Sequence, residues 1–371
     1  MARIPRDLTA NAWTRARARR GEVPLDLTVT NPTACGFAYP AGLLDALGDP
    51  RGLVYRPDPR GLREAREAIA RTYAARGAAV DPERIVLASS SSEAYGFLFK
   101  LLCEPGDRVL VPAPSYPLFE HLARLEGVRP EVYRLDPAHA WQPELDEQIE
   151  GAKALVLVHP NNPTGTWVDE AAIGDALPLI VDEVFLDFPL ATPAPRSFAA
   201  RDLGLTFALG GLSKSRGLPQ LKLSWIVVGG AADRAAAALE GLEFIADAYL
   251  SVATPIQLGL AEILREAAPV RDAILARCRE NLRVAAALAR TRPGIELATP
   301  DAGWSAVFRY PNVVPEETLV LELLEREGVA IHPGYFFDFE TDGWVVASLI
   351  VPPDRFESGL GKTFDAIARR L

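Results

Sequence analysis

Between residues 85 and 230 the chain repeats short runs of Val, Leu and Ile that are bounded by turn residues and alternate with helical stretches. A short apolar run without polar alternation is typical of a strand that is covered on both faces. The runs are IVLA (85–88), VLVP (109–112), ALVLVHP (154–160), LPLIVDEVF (177–185), TFALG (206–210) and LSWIVVGG (223–230). The pattern predicts an α/β fold with a mostly parallel sheet sandwiched by helices.

The remaining segments predict a second, smaller domain. GLREAREAIARTYAARG (61–77) and SEAYGFLFKLLCEPGD (92–107) have the helical character expected between strands. After about residue 255 a long helical stretch (257–290) is followed by GWSAVFRYP, a helix near 316–327, WVVASLIVPP and a last helix. We therefore expect a large domain over residues 40–255 and a smaller α+β domain formed by residues 1–39 and 256–371.

Composition narrows the classes of partner. The formal net charge of the 371 residues is −10, which argues against a nucleic-acid partner despite RARARR (15–20). We interpret that segment as a solvated helix or a dimer arm in preference to a nucleic-acid-binding arm. No apolar run of roughly 18 residues predicts a membrane span. The three scattered cysteines lack metal-ligand spacing and favour a reducing compartment, so we expect a cytoplasmic protein without a metal site.

Polar residues follow the predicted strands, where ligands of open α/β sheets bind. After IVLA, Ser90 and Glu93 fit a capping box, and the N-terminus of the helix that follows is also suited to a phosphate. From these residues alone, a plain cap and a phosphate site are equally good interpretations. Tyr116, in APSYPLF, suits a core tyrosine or a tyrosine that stacks on a planar ligand. NNPTG (161–165) is typical of a turn.

Asp182 and Lys214 give stronger signals. Asp182 ends a buried apolar strand, where a carboxylate needs a partner such as a protonated ring nitrogen or an arginine, while Glu183 can be purely structural. Lys214 follows another buried strand, where a lysine can lose its proton and form a Schiff base. A helix start for phosphate, a ring stacker, an asparagine turn, a carboxylate and an amine together match the needs of pyridoxal 5'-phosphate.

Taken in order, these segments resemble the class I/II aminotransferases, the fold-type I enzymes of the aspartate aminotransferase superfamily. The resemblance covers nearly the whole chain. It rests on DLTVTNPT (26–33), YRPDPRGLREA (55–65), VLASSSSEA, EPGDRVLVPAPSYPLF, HPNNPTG, VDEVF, LSKS and IHPGYFF (331–337). It implies a seven-stranded large-domain sheet, pyridoxal phosphate as cofactor and a homodimer with shared active sites.

The resemblance assigns roles by position. Lys214 would form the Schiff base and move the substrate α-proton, and Asp182 would pair with the pyridinium nitrogen. Asn162 would hydrogen-bond the 3-oxygen of the ring, and Tyr116 would stack on the ring. The phosphate would be held by Ser90, Ser91, Ser92 and Tyr55 of the partner subunit.

Three departures from the family pattern concern the cofactor. Phe185 stands where the family has a tyrosine that donates to the 3-oxygen. Ser90 replaces the glycine that opens the phosphate turn, so a non-glycine residue has to fit a tight backbone. Lys222 replaces the phosphate-binding arginine, which keeps the charge but loses the bidentate fork, so we expect weakened or rearranged phosphate binding.

The fourth departure concerns the substrate. The family places an arginine for the substrate α-carboxylate in the strand that corresponds to GWVVASLIV, and Val346 stands there. Either another residue binds the carboxylate, or the substrate carries no carboxylate at that place. The candidates for such a residue are Asn31, Arg309 and Arg355.

These features favour an aminotransferase that moves an amino group from an amino acid or amine to an oxo acceptor. A pyridoxal-phosphate lyase, decarboxylase or cyclase acting on an amino-acid-like substrate is the alternative, because the missing arginine leaves room for it. A non-catalytic, cofactor-binding regulator is a third hypothesis. It is disfavoured by the intact Lys214, Asp182 and Asn162, and because only about forty residues precede the cofactor-domain pattern.

Overall fold

A computed structural model of the chain describes residues 3–5 and 7–371, with the side chains of all of these except 146 and 147. The strands are β1 (Leu25–Asp26), β2 (Ile85–Ala88), β3 (Arg108–Ala113), β4 (Arg129–Arg134), β5 (Ala152–Val158), β6 (Leu179–Asp182), β7 (Leu205–Gly211), β8 (Ser224–Gly230), β9 (Glu296–Ala298), β10 (Ser305–Arg309), β11 (Val329–Ala330), β12 (His332–Pro333) and β13 (Trp344–Ser348). The helices are α1 (Ala12–Arg20), α2 (Arg63–Ala74), α3 (Ser91–Leu102), α4 (Phe119–Glu126), α5 (Leu212–Ser215), α6 (Ala232–Asp247), α7 (Thr254–Leu258), α8 (Leu260–Glu266), α9 (Ala268–Arg290), α10 (Glu316–Glu322) and α11 (Pro353–Ala368).

A seven-stranded sheet in the order β2-β8-β7-β6-β5-β3-β4 forms the centre of the molecule. Strands β7, β6, β5, β3 and β4 are parallel, and β8 is antiparallel to both of its neighbours. The predicted α/β fold with a mostly parallel sheet is confirmed. Each of the six predicted runs overlaps one strand of this sheet, and the seventh strand, β4, was not predicted.

Both faces of this sheet are covered, as the apolar runs predicted. In β2 the alternate residues Val86 and Ala88 pack in a cluster with buried residues of α3 and α6. The intervening Ile85 and Leu87 pack on the other face with residues of α2 and α8. Because neither face of the strand meets water, both sets of positions are apolar.

A four-stranded antiparallel sheet, β12-β13-β10-β9, forms the smaller C-terminal part. The N-terminal segment joins it, since β1 pairs in parallel with β11. The predicted helix at 257–290 is divided into α7, α8 and α9. These breaks fall near Gly259 and Pro269, residues that favour interruption of a helix. The domain boundaries near residues 39 and 255 stay a prediction.

Three further observations bear on the composition arguments. RARARR lies in α1, as one interpretation of that segment predicted. Cys35 and Cys278 are buried, Cys103 is half-buried, and all three are free thiols. No helix among the described residues is long and apolar enough to cross a membrane.

Candidate active site

The strand directions bring the predicted site residues to one edge of the seven-stranded sheet. Strands β3, β5, β6 and β7 run parallel, so Tyr116, Asn162, Asp182 and Lys214 all follow carboxyl ends at that edge. Strand β2 is antiparallel to β8, which is antiparallel to β7. The carboxyl end of β2, and with it Ser90, therefore lies at the same edge.

Lys214 lies in the short helix α5, directly after β7, and its side chain is largely enclosed. Burial lowers the pKa of this amine, and the Asp182 charge partly opposes that shift. Its Nζ lies 5.2 Å from the ring centroid of Trp304 and 5.6 Å from that of Phe185. An amine in such surroundings loses its proton more readily than a surface lysine and is therefore suited to nucleophilic attack.

Asp182 lies at the end of β6, opposite the amine, and is 7% exposed. Its Oδ1 accepts a hydrogen bond from the Val184 backbone N–H at 3.1 Å, and its Oδ2 accepts one from the Tyr95 hydroxyl at 3.2 Å. Burial raises the pKa of Asp182 from 3.8 to about 6, and these two donors and the Lys214 charge limit the rise. The carboxylate is therefore suited to bind a protonated ligand nitrogen, because a positive charge beside it would offset the free-energy cost of burying its negative charge.

The neighbouring Glu183 has a structural role, as its position suggested. Its carboxylate accepts hydrogen bonds from the Ser197 hydroxyl and from the Phe198 backbone N–H, both at 2.6 Å. Burial raises the pKa of Glu183 to about 7. Because both carboxylate oxygens already have donors, this residue connects the end of β6 to the 197–198 loop.

The N-terminus of α3, which we call the α3 cup, combines a side-chain cap with unpaired backbone N–H groups. The Ser90 Oγ accepts from the Glu93 backbone N–H at 3.1 Å, and the Glu93 carboxylate accepts from the Ser89 backbone N–H at 2.6 Å. The predicted capping box is thus present, with Glu93 reaching one residue further back than the motif requires. Within the described residues the backbone N–H groups of Ser91 and Ser92 have no partner, so both are available to an anion.

The expectation of a tight backbone at Ser90 was wrong. The residue has φ −162° and ψ 160°, which is extended backbone that any residue can adopt. Serine therefore replaces the family glycine without strain. It also contributes a hydroxyl that caps α3.

Lys222 lies beside this cup, and the strand register places it there. Ser224, two residues later, pairs with Ala88 at the end of β2 and with Gly211 at the end of β7. Lys222 is exposed, and no residue in the described ranges forms a hydrogen bond or ion pair with its amine. Its backbone has the left-handed φ of 48°, which is uncommon outside glycine and asparagine.

Two adjacent asparagines in the turn after β5 have different roles. Asn161 is buried. Its amide oxygen accepts a hydrogen bond from the Ser115 hydroxyl at 3.0 Å, and its amide nitrogen donates to the Pro114 carbonyl at 3.0 Å and to the Thr164 hydroxyl at 2.9 Å, so Asn161 fixes the turn. The amide oxygen of Asn162 accepts from the Ser305 hydroxyl at 3.3 Å. This contact leaves the amide nitrogen of Asn162 as a donor toward the site.

Tyr116 projects from the loop between β3 and α4. Its ring packs edge-on against Phe119, with centroids 6.1 Å apart, and Phe119 packs in the same way against Tyr95 at 5.5 Å. Burial and the nearby Asp182 charge raise the pKa of Tyr116. Tyr116 is still 36% exposed, and it lines a cavity of about 940 Å³ that contains neither Lys214 nor Asp182.

The substrate candidates differ in position. Asn31 lines a cavity of about 520 Å³ that also contains Lys214. Its Oδ1 accepts from Thr33, whereas its amide nitrogen has no partner among the residues described. Arg309 lies four residues along β10 from Ser305, about 13 Å away. Arg355 is exposed on α11 and does not line the cavity that contains Lys214.

Val346 lies in β13 and is 3% exposed. It pairs with Val307 across the strands and packs with Phe337 and Trp344 in an apolar cluster. The guanidinium group of Arg309 borders this cluster, 5.7 Å from the ring centroid of Trp344. Tyr55, at the opposite extreme, is 78% exposed in the single chain.

Two residues at the site were not predicted from the sequence. Tyr95 is 1% exposed and hydrogen-bonds Asp182 from the second turn of α3. Trp304, in GWSAVF, is 2% exposed and lies against Lys214 and Phe185. A tyrosine in a helix and a tryptophan before a strand are both typical of core positions, so no local signal distinguishes them.

The residues present fit pyridoxal phosphate. The cup of α3 and Lys222 suit its phosphate, and Asp182 suits its ring nitrogen because that carboxylate lacks a full charge partner. Lys214 suits its aldehyde because burial favours the neutral amine. Among residues 3–5 and 7–371, no group of three or more His, Cys, Asp or Glu side chains is arranged to hold a metal ion.

Comparison with known proteins defines the family. Residues 41–349 match the family model of aminotransferase class I and II, and the chain belongs to that family. It is 30% identical over 346 residues to an alanine aminotransferase of Mycobacterium tuberculosis, covering 85% of this chain and 79% of the relative. It is 28% identical over 344 residues to a glutamate-pyruvate aminotransferase of Escherichia coli, covering 86% and 84%. The protein is therefore an aminotransferase.

Solved structures agree with this fold. The alanine aminotransferase of Pyrococcus furiosus superposes with a TM-score of 0.84 at 22% identity, covering 96% of this chain and 95% of that one. The tyrosine aminotransferase of Leishmania infantum superposes with a TM-score of 0.83 at 22% identity, covering 99% and 100%. The fold is that of the fold-type I aminotransferases.

Proposed function

We propose that the protein is a pyridoxal-phosphate-dependent aminotransferase that attaches its cofactor through Lys214. The observation that supports this most directly is an amine with a lowered pKa facing a buried, incompletely paired carboxylate, Asp182, at the edge that also carries the α3 cup. Pyridoxal phosphate supplies an aldehyde that links to amines and a ring that accepts electrons. Lys214 Nζ would take the proton from the substrate carbon and return it at a second position.

The phosphate would be held by the cup and by charge. In this proposal the free backbone N–H groups of Ser91 and Ser92, the Ser90 hydroxyl and the Lys222 ammonium group would all contact the phosphate, and the register that brings Ser224 next to Ala88 supports it. Tyr55 of the partner subunit would complete this set, which makes a homodimer part of the proposal. The high exposure of Tyr55 in the single chain supports it.

The ring would be held by three further contacts. Asp182 would accept from the protonated ring nitrogen, Asn162 would donate its free amide N–H to the 3-oxygen, and Tyr116 would stack on one face. Phe185 offers no hydroxyl to the 3-oxygen, so Asn162 would be its main donor. This arrangement keeps the family roles while removing one hydrogen bond.

Asn31 is the residue we propose for substrate binding. Its unused amide N–H opens on the cavity that contains Lys214, and it can donate to an oxygen of the substrate. A neutral amide binds a carboxylate less strongly than an arginine fork does. The relatives are named for alanine, glutamate–pyruvate and LL-diaminopimelate transamination, so the amino donor is proposed only as an amino acid or amine.

We also propose a cytoplasmic location. The free thiols of Cys35, Cys103 and Cys278 support it, because thiols persist in reducing compartments.

A half-reaction screen tests the proposal. The purified, cofactor-loaded protein is mixed with single amino acids and amines, and the visible band of the bound cofactor is followed. We expect one stoichiometric loss of the band with the correct donor and its recovery after an oxo acid is added. Sustained release of pyruvate or CO₂ without an oxo acid would contradict transamination, and so would a band that no amine changes.

The lysine assignment has a separate test. Borohydride reduction followed by peptide mapping should place the cofactor on Lys214. A label on Lys222 would overturn every position-based role given above.

A further inference from the structure

A second cavity, of about 450 Å³, lies on the side of the large sheet that carries α2 and α8. Its volume is in the range of small-molecule sites. Among its lining residues five are arginines and one is a carboxylate: Arg71, Arg76, Arg216, Arg265, Arg271 and Asp187. None of the residues assigned to the cofactor lines it. We call it the arginine cavity.

Neighbouring acids neutralise only part of this charge. Arg265 pairs with Glu266 at 2.5 Å and with Glu262 at 3.5 Å. Arg271 pairs with the adjacent Asp272 at 2.7 Å. The other three arginines remain, and they face a single carboxylate.

That carboxylate, Asp187, is shared. Its Oδ1 accepts from Arg76 Nη1 at 3.0 Å, and its Oδ2 lies 3.7 Å from Arg216 Nη1. Arg71 is exposed and forms no ion pair with any residue in the described part of the chain. The five arginines therefore meet four carboxylates, Asp187, Glu262, Glu266 and Asp272, so the arginine cavity keeps an excess of positive charge.

Burial makes this excess costly at Arg216. Its side chain is 11% exposed and donates through Nε to the Leu264 carbonyl at 3.1 Å and through Nη1 to the Ser215 carbonyl at 2.7 Å. Burial lowers the pKa of Arg216, and the charges of Arg271 and Arg76 lower it further, although Asp187 acts in the opposite direction. A guanidinium group in these surroundings is stabilised by any added negative charge.

We propose that the arginine cavity binds a small multivalent anion, such as a phosphate or polycarboxylate group, through Arg71, Arg76 and Arg271. Guanidinium forks suit such groups because they donate two parallel hydrogen bonds to paired oxygens. The site is separate from the cofactor phosphate cup. Arg216, the residue directly after the helix that carries Lys214, also lines the cavity, so the bound anion would lie near a residue two positions along the chain from the reactive amine.

The test uses the cofactor-loaded protein, so that the cofactor phosphate already occupies the cup. Phosphate and citrate are titrated separately at constant ionic strength and followed by calorimetry. We expect saturable binding of one anion per chain. Arg271→Gln should weaken that binding by about tenfold or more, because it removes charged hydrogen-bond donors.

Arg283→Gln is the matched control, since Arg283 is an exposed arginine on the same helix, α9, and does not line the cavity. It should leave the affinity unchanged. Equal weakening in both variants would indicate general charge screening and would overturn the site. Failure of the wild-type protein to bind either anion saturably would also overturn it. In that case, dissociation of a dimer by Arg271→Gln would indicate that acidic side chains of the partner subunit fill the cavity instead.

Discussion

The carboxyl edge of the seven-stranded sheet and strand β13 of the small sheet differ in the side chains that they present. The sheet edge presents an amine, a carboxylate, an amide and a helix N-terminus. Strand β13 presents Val346, which pairs with Val307 in an apolar cluster. The groups that would hold the cofactor are kept, whereas the family group that holds the substrate carboxylate is replaced by packing.

This difference is more than the loss of one side chain. Val346 belongs to a cluster that also contains Trp344 of the same strand, Phe337 from the turn after β12, and Leu155 and Leu157 from the large sheet. Val346 is 3% exposed, so apolar side chains enclose the position that the family arginine would need. Val346 cannot bind a carboxylate, which is why we propose Asn31, a residue that lines the same cavity as Lys214, for substrate binding.

The largest expected effect comes from the reactive amine. Lys214→Ala should lower the rate of amino transfer by about 10⁴-fold or more, because attachment and proton transfer both depend on this group. The measurement is the single-turnover rate with the best amino donor. Lys222→Arg is the control, and it should retain activity while tightening cofactor binding. Equal losses of activity in the two variants would contradict the assignment of Lys214 as the reactive amine and Lys222 as a phosphate-binding residue.

The next prediction tests the substrate side of the comparison. Val346→Arg should lower the free energy of unfolding by about 3–5 kcal/mol, because it leaves an unpaired charge in an apolar cluster. Val313→Arg makes the same change at a position that is 46% exposed, and it should be nearly neutral. Denaturant unfolding compares the two. A stable Val346→Arg protein with improved turnover of common amino acids would show that β13 still has room for the family arginine.

A third prediction concerns the buried carboxylate. Burial raises the pKa of Asp182 above its ordinary 3.8, to about 6, so the folded apoprotein binds this proton more tightly than the unfolded chain does. Asp182 therefore destabilises the apoprotein progressively as the pH rises from about 4 to 6, and by a constant amount above that. The cost at pH 8 is about 2–3 kcal/mol.

Asp182→Asn should remove that cost, so the cofactor-free variant should be more stable than wild type at pH 8, with the difference shrinking toward pH 4. With cofactor bound the order should reverse, because asparagine cannot pair with a protonated ring nitrogen. Urea unfolding at both pH values, with and without cofactor, gives the comparison. A variant that is less stable in the apo form at pH 8 would argue that the carboxylate is already fully compensated.

The sequence predicted a strand wherever the residues of that strand themselves carried the signal, such as a run of apolar side chains. The strand over residues 85–88 was predicted with its observed bounds because all four of its residues are apolar and buried. Strand β4 was missed because RPEVYR, at the sheet edge, contains a proline and three charged residues and is only partly buried. An edge strand of this kind has no apolar run to detect.

The same distinction holds at the site. Asp182 and Lys214 stand out as site candidates in the sequence because the first ends a buried strand and the second lies three residues after one. Tyr95 could not, because its contact with Asp182 depends on which face of α3 meets β6, and that follows from the strand order. The arginine cavity brings together α2, α5, α8 and α9, whose arginines look like ordinary surface charges along the chain.

The smallest expected effect falls on Tyr95. Tyr95→Phe removes the hydroxyl that donates to Asp182, and hydrogen bonds to charged groups contribute roughly 1.5–3 kcal/mol. Its 3.2 Å length is long for a hydroxyl donor, so we expect the lower limit, about tenfold weaker cofactor binding. Tyr133→Phe is the control, because that hydroxyl is equally buried but donates at 2.8 Å to the Val156 carbonyl, within β5. It should cost stability without changing cofactor affinity in a titration of the visible band. Equal effects from the two substitutions would mean that Tyr95 supports only the core, and that the sheet edge holds its carboxylate without help from α3.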